Sequence, residues 1–231
     1  MILRRIPLKT VENLRDLGGY ACSGGATRFG AILRSAVVSD LSTEDMNRLI
    51  SMGLTDIIDL RSDSEHLEYP NAFEDHASVK LHRSGTLELS ASTDFTCMGD
   101  AYIYRIDNMG EYHRKIIEIV ANAEGTVLIH CFAGKDRTGI MCALILLLLG
   151  VDPLDVIADY QITHTYIRHY DEAFLSAHPN TLPFVLSSTP SNMIMTIRHI
   201  TEKYGSAKAY LTAHGLDGVT IEKLKSKFVI Q

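Results

Sequence analysis

Short apolar runs and amphipathic stretches follow one another along the chain, and their periods divide it into strands and helices. Ala31-Ile32-Leu33-Arg34-Ser35 reads as a short strand, with Gly24, Gly25 and Gly30 marking turns before it. Ser42 or Thr43 can cap a helix whose apolar residues Met46, Leu49 and Ile50 fall at i, i+3 and i+4, and Gly53 ends it. Asp56-Ile57-Ile58-Asp59-Leu60 follows as a buried strand, so the helix before it reads as a crossover in a parallel sheet. Residues 62–100 are polar and irregular, apart from one strand signal at Val79-Lys80-Leu81-His82. Helical periodicity returns from about 109 to 122 through Tyr112, Ile116, Ile119 and Val120. Gly125 breaks it, and Thr126-Val127-Leu128-Ile129-His130 is a second buried strand.

An apolar helix then runs from near Arg137 to Gly150. Asp152-Pro153 opens another, with Leu154, Val156, Ile157, Tyr160 and Ile162 on its apolar side, because proline is preorganised for the first helical position. The stretch 176–190 carries three of the six prolines and reads as a loop or lid. Ser191 can cap a helix to Tyr204, and two short helices, about 206–213 and 220–228, close the chain. The expected fold is α/β: a central, mainly parallel sheet flanked by helices, with an α-rich C-terminal half, in one domain over 1–231.

Composition narrows this only a little. The chain has 231 residues, 46% of them hydrophobic and 22% charged, which suffices for a core without disulfide staples. A net charge of −6 argues against nucleic acid as a partner and against an anionic membrane surface. The longest apolar run, Ile140 to Leu149, is about half of what spans a bilayer, so no stable membrane insertion is expected. Residues 1–9 lack the apolar segment of a signal peptide. The four cysteines, 22, 97, 131 and 142, form no CxxC pair and no zinc-ligand spacing. His164 and His169 lie five apart, off the helical metal-pair spacing. These features point to a reducing, cytoplasmic setting with no metal or cofactor, export without a signal peptide being left open. They do not bear on oligomeric state.

The chemistry sits between the second buried strand and the apolar helix, in His130-Cys131-Phe132-Ala133-Gly134-Lys135-Asp136-Arg137-Thr138-Gly139. A parallel strand releases the chain at its C-terminal edge, where open α/β sheets bind ligands. The five residues from Phe132 to Asp136 can curl back with their amides inward, while the next helix aims its positive end at the same point. That builds a nest for a phosphate dianion, and the same field stabilises a thiolate at Cys131. Arg137 offers a planar fork for two phosphoryl oxygens, and Gly134 permits close backbone approach. Thr138 can donate its hydroxyl to the sulfur, and His130 is expected to orient the loop without touching phosphate.

This run resembles the signature of the protein tyrosine phosphatase superfamily. With Asn13-Leu14-Arg15-Asp16-Leu17-Gly18-Gly19, Asp59-Leu60-Arg61-Ser62 and the region Gly205-Ser206 to Leu216, the chain is similar to a bacterial subgroup of tyrosine and lipid phosphatases. The resemblance implies a phosphocysteine intermediate on Cys131 and a phosphorylated protein or phosphoinositide as substrate. Many superfamily members place the acid on a loop that begins with tryptophan, and this sequence has no tryptophan. The subgroup implies Asp136 as general acid and base. Its rivals are Asp59, which can instead pair with Arg61 or Arg15, and Asp94, Asp100 and Asp107, which read as solvated surface. Lys135 suits a substrate with more charge than one phosphotyrosine, as in the tensin-homologue lipid phosphatases, or it only adds positive potential or pairs with a loop carboxylate. Arg15 and Asp16 can buttress the loop or serve as turn residues. Cys22 can resolve oxidised Cys131 or be inert, and Cys142 reads as core. Two other readings stay open: sulfur or arsenate chemistry on the same loop, and an inactive phosphate-binding module.

Overall fold

In a computed structural model, which describes residues 3–85, 95–167 and 183–231, five strands make the central sheet. They are β1 (Arg15–Asp16), β4 (Ile32–Ser35), β7 (Thr126–His130), β5 (Leu54–Asp59) and β6 (Lys80–Arg83), in that order across it. All pairings are parallel except β1 with β4 at one edge. A second, three-stranded antiparallel sheet joins β2 (Ala21–Cys22), β3 (Gly25–Thr27) and the C-terminal β8 (Val229–Ile230). No sequence signal marked β8, since two residues are too few to show a period.

Alternate residues of the central strands face opposite sides, as strand geometry requires. Leu33, Ile57 and Leu128 pack in one cluster with Leu49 of α1 (Thr43–Ser51), Val11 and Phe73. Ile32, Ile58, Val127 and Ile129 face a larger cluster. Its other walls come from α3 (Met98–Asn108), α4 (Gly110–Asn122), α5 (Asp136–Leu148) and α6 (Pro153–Gln161). The short α7 (Thr163–Tyr166) follows, and α8 (Pro190–Tyr204), α9 (Ala207–Ala213) and α10 (Gly218–Phe228) complete that layer. The expected fold class is observed, and the strand and helix boundaries lie close to those expected. Helix α5 is apolar around its whole circumference because Ile140, Cys142, Leu144, Ile145 and Leu146 are all buried there. No helix among the described residues is long and apolar enough to cross a membrane.

Four expectations need correction. The stretch 62–100 is not irregular throughout: it holds α2 (Asp63–Glu68) and the start of α3. Six residues whose one apolar member, Leu67, is exposed show no amphipathic period. Helix α8 starts at Pro190 with Thr189 as its N-cap residue, so Ser191 lies inside the helix and does not cap it. On α6, Leu154 and Ile162 are exposed, and the buried side carries Val156, Asp159 and Tyr160 instead. Asp100 and Asp107 are not free surface: Asp100 accepts from Thr96 and Cys97 at the head of α3, and Asp107 pairs with His199 and Lys203.

The helical layer contains one acid-sensitive contact. His113 is buried on α4, with Nδ1 2.8 Å from the Tyr210 hydroxyl, and burial lowers its pKa from 6.5 to about 3, with Arg105 and His214 adding repulsion. The unfolded chain therefore takes up this proton first. Stability is full above about pH 6.5 and falls as pH drops toward 3, by on the order of 3–5 kcal/mol. Urea midpoints measured from pH 7 to 4 should fall steeply in the native chain and less steeply in His113→Asn.

Candidate active site

Strand register sets the site. Ser35, Asp59 and His130 lie side by side at the C-terminal ends of β4, β5 and β7, and the chain leaves the sheet there as Cys131 to Lys135. Three carbonyls of this loop are held from behind. Val37 N donates to Phe132 O at 2.8 Å, and Asn13 Nδ2 donates to Ala133 O at 3.0 Å and Gly134 O at 3.1 Å. Arg34 Nη2 donates to Gly134 O at 2.8 Å. Carbonyls drawn outward leave the alternate side of the backbone, the amides, facing the cavity. Gly134 has φ +66° and sits so close to β4 that a Cβ would lie 2.1 Å from Ser35 O. Glycine alone fits there. Helix α5 begins at the loop's end with no side-chain cap, so its first amides are open toward the same cavity.

Cys131 is buried at the base of this cradle. Arg137, in the first turn of α5, is fixed by Glu65 of α2: Nη1 to Oε2 at 2.6 Å and Nη2 to Oε1 at 2.7 Å, with Leu60 O at 3.2 Å. Burial acts to raise the Glu65 pKa, but the Arg137 pair outweighs it and holds the carboxyl below its ordinary value. Glu65 in turn accepts from Ser62 N at 2.8 Å, the reciprocal half of a capping box. The spacing Ser62-x-x-Glu65 was the available signal for this residue, which sequence reasoning passed over.

Behind the cradle lies a buried ionic cluster. Asp159 accepts from Arg15 Nε at 2.9 Å and from Arg34 Nη1 at 2.6 Å. Burial raises its pKa, but the two guanidiniums prevail and lower it to about 2. Two cations share one carboxylate, leaving one positive charge in excess behind the phosphate loop. Arg15 also grips Asn13 through its backbone and side-chain oxygens, so it reaches the loop by way of Asn13. Asp16 does not: its carboxylate accepts from Gly18 N and Gly30 N, both at 2.7 Å, and braces its own turn. Arg34 and Asp159 carried no sequence signal, because a strand arginine and a helix aspartate normally face solvent.

The other expected site residues take distinct places. His130 Nδ1 lies 3.1 Å from Cys131 O, and Nε2 lies 3.2 Å from Asp59 Oδ2 and 3.0 Å from Asn71 Nδ2. Asp59 is sealed between Arg61 and His130. Burial pushes its carboxyl up, but these partners hold it well below the usual carboxylate range, so it has no proton to give. It pairs with Arg61, not Arg15. The Lys135 ammonium is buried, donates to Val185 O and stands 3.7 Å from Asp136 Oδ1. Thr138 Oγ1 is buried without a hydrogen-bond partner, so the expected bond to sulfur is not formed. Asp94 and His169 lie outside the described residues. Asp136 alone among the described rivals keeps a partly exposed carboxylate beside the loop.

A cleft of about 230 Å³ opens over Cys131, Asp136 and Arg137. Its walls are Phe132, braced edge-on by Tyr69 at 5.4 Å, and Ile167, Val185 and Leu186. The arrangement can bind a phosphate dianion at its floor, attack phosphorus from sulfur and hold an apolar group above.

The chain was compared with known proteins. A protein of Cupriavidus necator assigned to the tyrosine-protein phosphatases is 31% identical over 222 residues, 87% of this chain and 81% of its own. A tyrosine-protein phosphatase of Nostoc commune is 27% identical over 226 residues, 89% of this chain and 76% of the relative. The triple specificity protein phosphatase PtpB of Mycobacterium tuberculosis is 26% identical, covering 97% of this chain and 98% of that one. A family model described as the tyrosine phosphatase family matches residues 6–230. With the match running through every element of the sheet and its helical layer, the chain belongs to the tyrosine phosphatase family.

Proposed function

We propose that this chain hydrolyses phosphate monoesters through a phosphocysteine on Cys131, with tyrosine phosphate as its first substrate class. The observation that carries the reading is the position of Cys131 under inward-facing amides and opposite an Arg137 guanidinium fixed in plane by Glu65. Sulfur attacks phosphorus, the ester oxygen leaves with a proton from Asp136, and Asp136 then takes a proton from the water that cleaves the S–P bond. Phe132, Ala133, Gly134 and Thr138 supply the cradle's backbone. The apolar walls, Phe132, Ile167, Val185 and Leu186, suit an aryl ring.

Activity on phosphoserine, phosphothreonine and phosphoinositides is the extension, favoured by the triple specificity named for the mycobacterial relative. Lys135 lines the cleft and supports this by its charge, with one of its three ammonium donors taken by Val185 O. One phosphatase domain over 1–231 and a reducing, cytoplasmic setting complete the proposal. Free thiols at Cys22, Cys97, Cys131 and Cys142 agree with the setting.

Phosphate release from phosphotyrosine, phosphothreonine and phosphoinositide substrates tests the reading, and a chain active on none of them overturns it. The acid is tested separately. Asp136→Asn should cut turnover of alkyl phosphates by about 10²–10⁴-fold while sparing activated aryl phosphates. Equal loss on both would remove Asp136 from the acid role.

A further inference from the structure

Asp136 is reached by a chain of hydrogen bonds that starts three helices away. Tyr102 of α3 donates to Asp136 Oδ1 at 2.5 Å, and its hydroxyl lies 2.8 Å from that of Tyr160 on α6. Asn192, in the first turn of α8, donates from Nδ2 to the Tyr160 hydroxyl at 3.4 Å. Both tyrosines are buried, with rings packed edge to face at 5.9 Å.

The direction of the chain is fixed. Asn192 Oδ1 accepts from Gly99 N at 3.2 Å, which forces Nδ2 toward Ser187 O and Tyr160. Tyr160 accepts that proton and donates its own to Tyr102, and Tyr102 then has its hydrogen free for Asp136 alone. Every donor in the sequence points toward the carboxylate. Burial, with Asp136 and Tyr160 beside it, pushes the Tyr102 hydroxyl far above its ordinary range, so it stays a donor throughout the cycle.

Resting on the reading of Asp136 as acid and base, we propose that Tyr102, backed by Tyr160 and Asn192, is the positioning residue that orients this carboxyl toward the leaving oxygen. Oδ1 is permanently engaged as an acceptor, so the exchanging proton resides on Oδ2. When Oδ2 protonates the leaving oxygen and the P–O bond breaks, the negative charge that forms on Asp136 meets a donor already in place. In the second half of the cycle Oδ2 recovers a proton from the attacking water as the S–P bond breaks. Because Asn192 also holds Ser187 O, and Lys135 holds Val185 O, the acid is referenced to the segment that roofs the cleft.

The test is the leaving-group dependence of kcat for Tyr102→Phe and Tyr160→Phe, each measured with an alkyl phosphate and an activated aryl phosphate. Alkyl phosphate turnover should drop about 10-fold to 100-fold in Tyr102→Phe, with aryl turnover within about threefold. The double variant with Asp136→Asn should add nothing to Asp136→Asn alone. Alkyl phosphate turnover that stays native in both phenylalanine variants, or an equal loss on both substrates, overturns the proposal and leaves the tyrosines as packing. If Asp136→Asn itself shows no leaving-group split, the acid reading fails first, which is a separate outcome.

Discussion

Cys131→Ser is expected to lower hydrolysis of every phosphate monoester by at least about 10⁴-fold and to leave phosphate binding in place. A hydroxyl needs a base to become a nucleophile, and the nearest titratable neighbour is not available as one. His130 is adjacent in sequence, but both its ring nitrogens are engaged: Nδ1 meets Cys131 O, and Nε2 meets Asp59 and Asn71. The proposed reaction therefore relies on sulfur, the intrinsically stronger nucleophile, which a hydroxyl without a base does not replace. The binding elements are independent of the sulfur. The carbonyls of 132–134 remain pinned by Val37, Asn13 and Arg34, and Arg137 remains fixed by Glu65. Single-turnover phosphate release and calorimetric titration with phosphotyrosine would measure the two effects separately. A serine variant with native turnover would sink the covalent mechanism.

What could be read in advance follows from how far each feature acts along the chain. The strand, the Cys131 loop and helix α5 are contiguous, and the phosphate cradle is built almost wholly from one run of ten residues. Its residue types and order could therefore be read directly. The parts supplied from elsewhere were harder to see. Glu65 lies 72 residues before Arg137 and on a helix too short for a period, although its capping spacing was present. Asp159 and Arg34 meet only because α6 crosses behind β4, and nothing local marks an ion pair 125 residues apart. The contacts among Tyr102, Tyr160 and Asn192 were invisible for the same reason, and Tyr160 read only as part of an apolar helix face. Burial, which spacing does not encode, also separates Asp59 from Asp136. Asp59 has the better sheet-edge position, yet it is locked as an anion by Arg61 and His130, while Asp136 faces the cleft.

The second large effect is expected at the clamp. Arg137→Lys keeps the charge but should reduce kcat/KM by about 10³-fold, because the site uses the shape of the guanidinium. Two of its nitrogens already hold Glu65 in parallel bonds of 2.6 and 2.7 Å, and one also reaches Leu60 O. That arrangement locks the plane of the fork, so the remaining donors are aimed before substrate arrives. A lysine ammonium is a single point that cannot span both Glu65 oxygens and two phosphoryl oxygens at once. It would settle on the carboxylate, whose half-buried charge needs a partner, and the phosphoryl group would lose its planar contact. Glu65→Gln separates plane from charge. It retains an acceptor for one bond, and its loss should be smaller, about 10-fold to 100-fold, with the same direction on all substrates. Steady-state kinetics on one aryl phosphate for both variants decides the matter. If Arg137→Lys stays within tenfold of the native chain, the contribution is charge alone and the fixed plane is incidental.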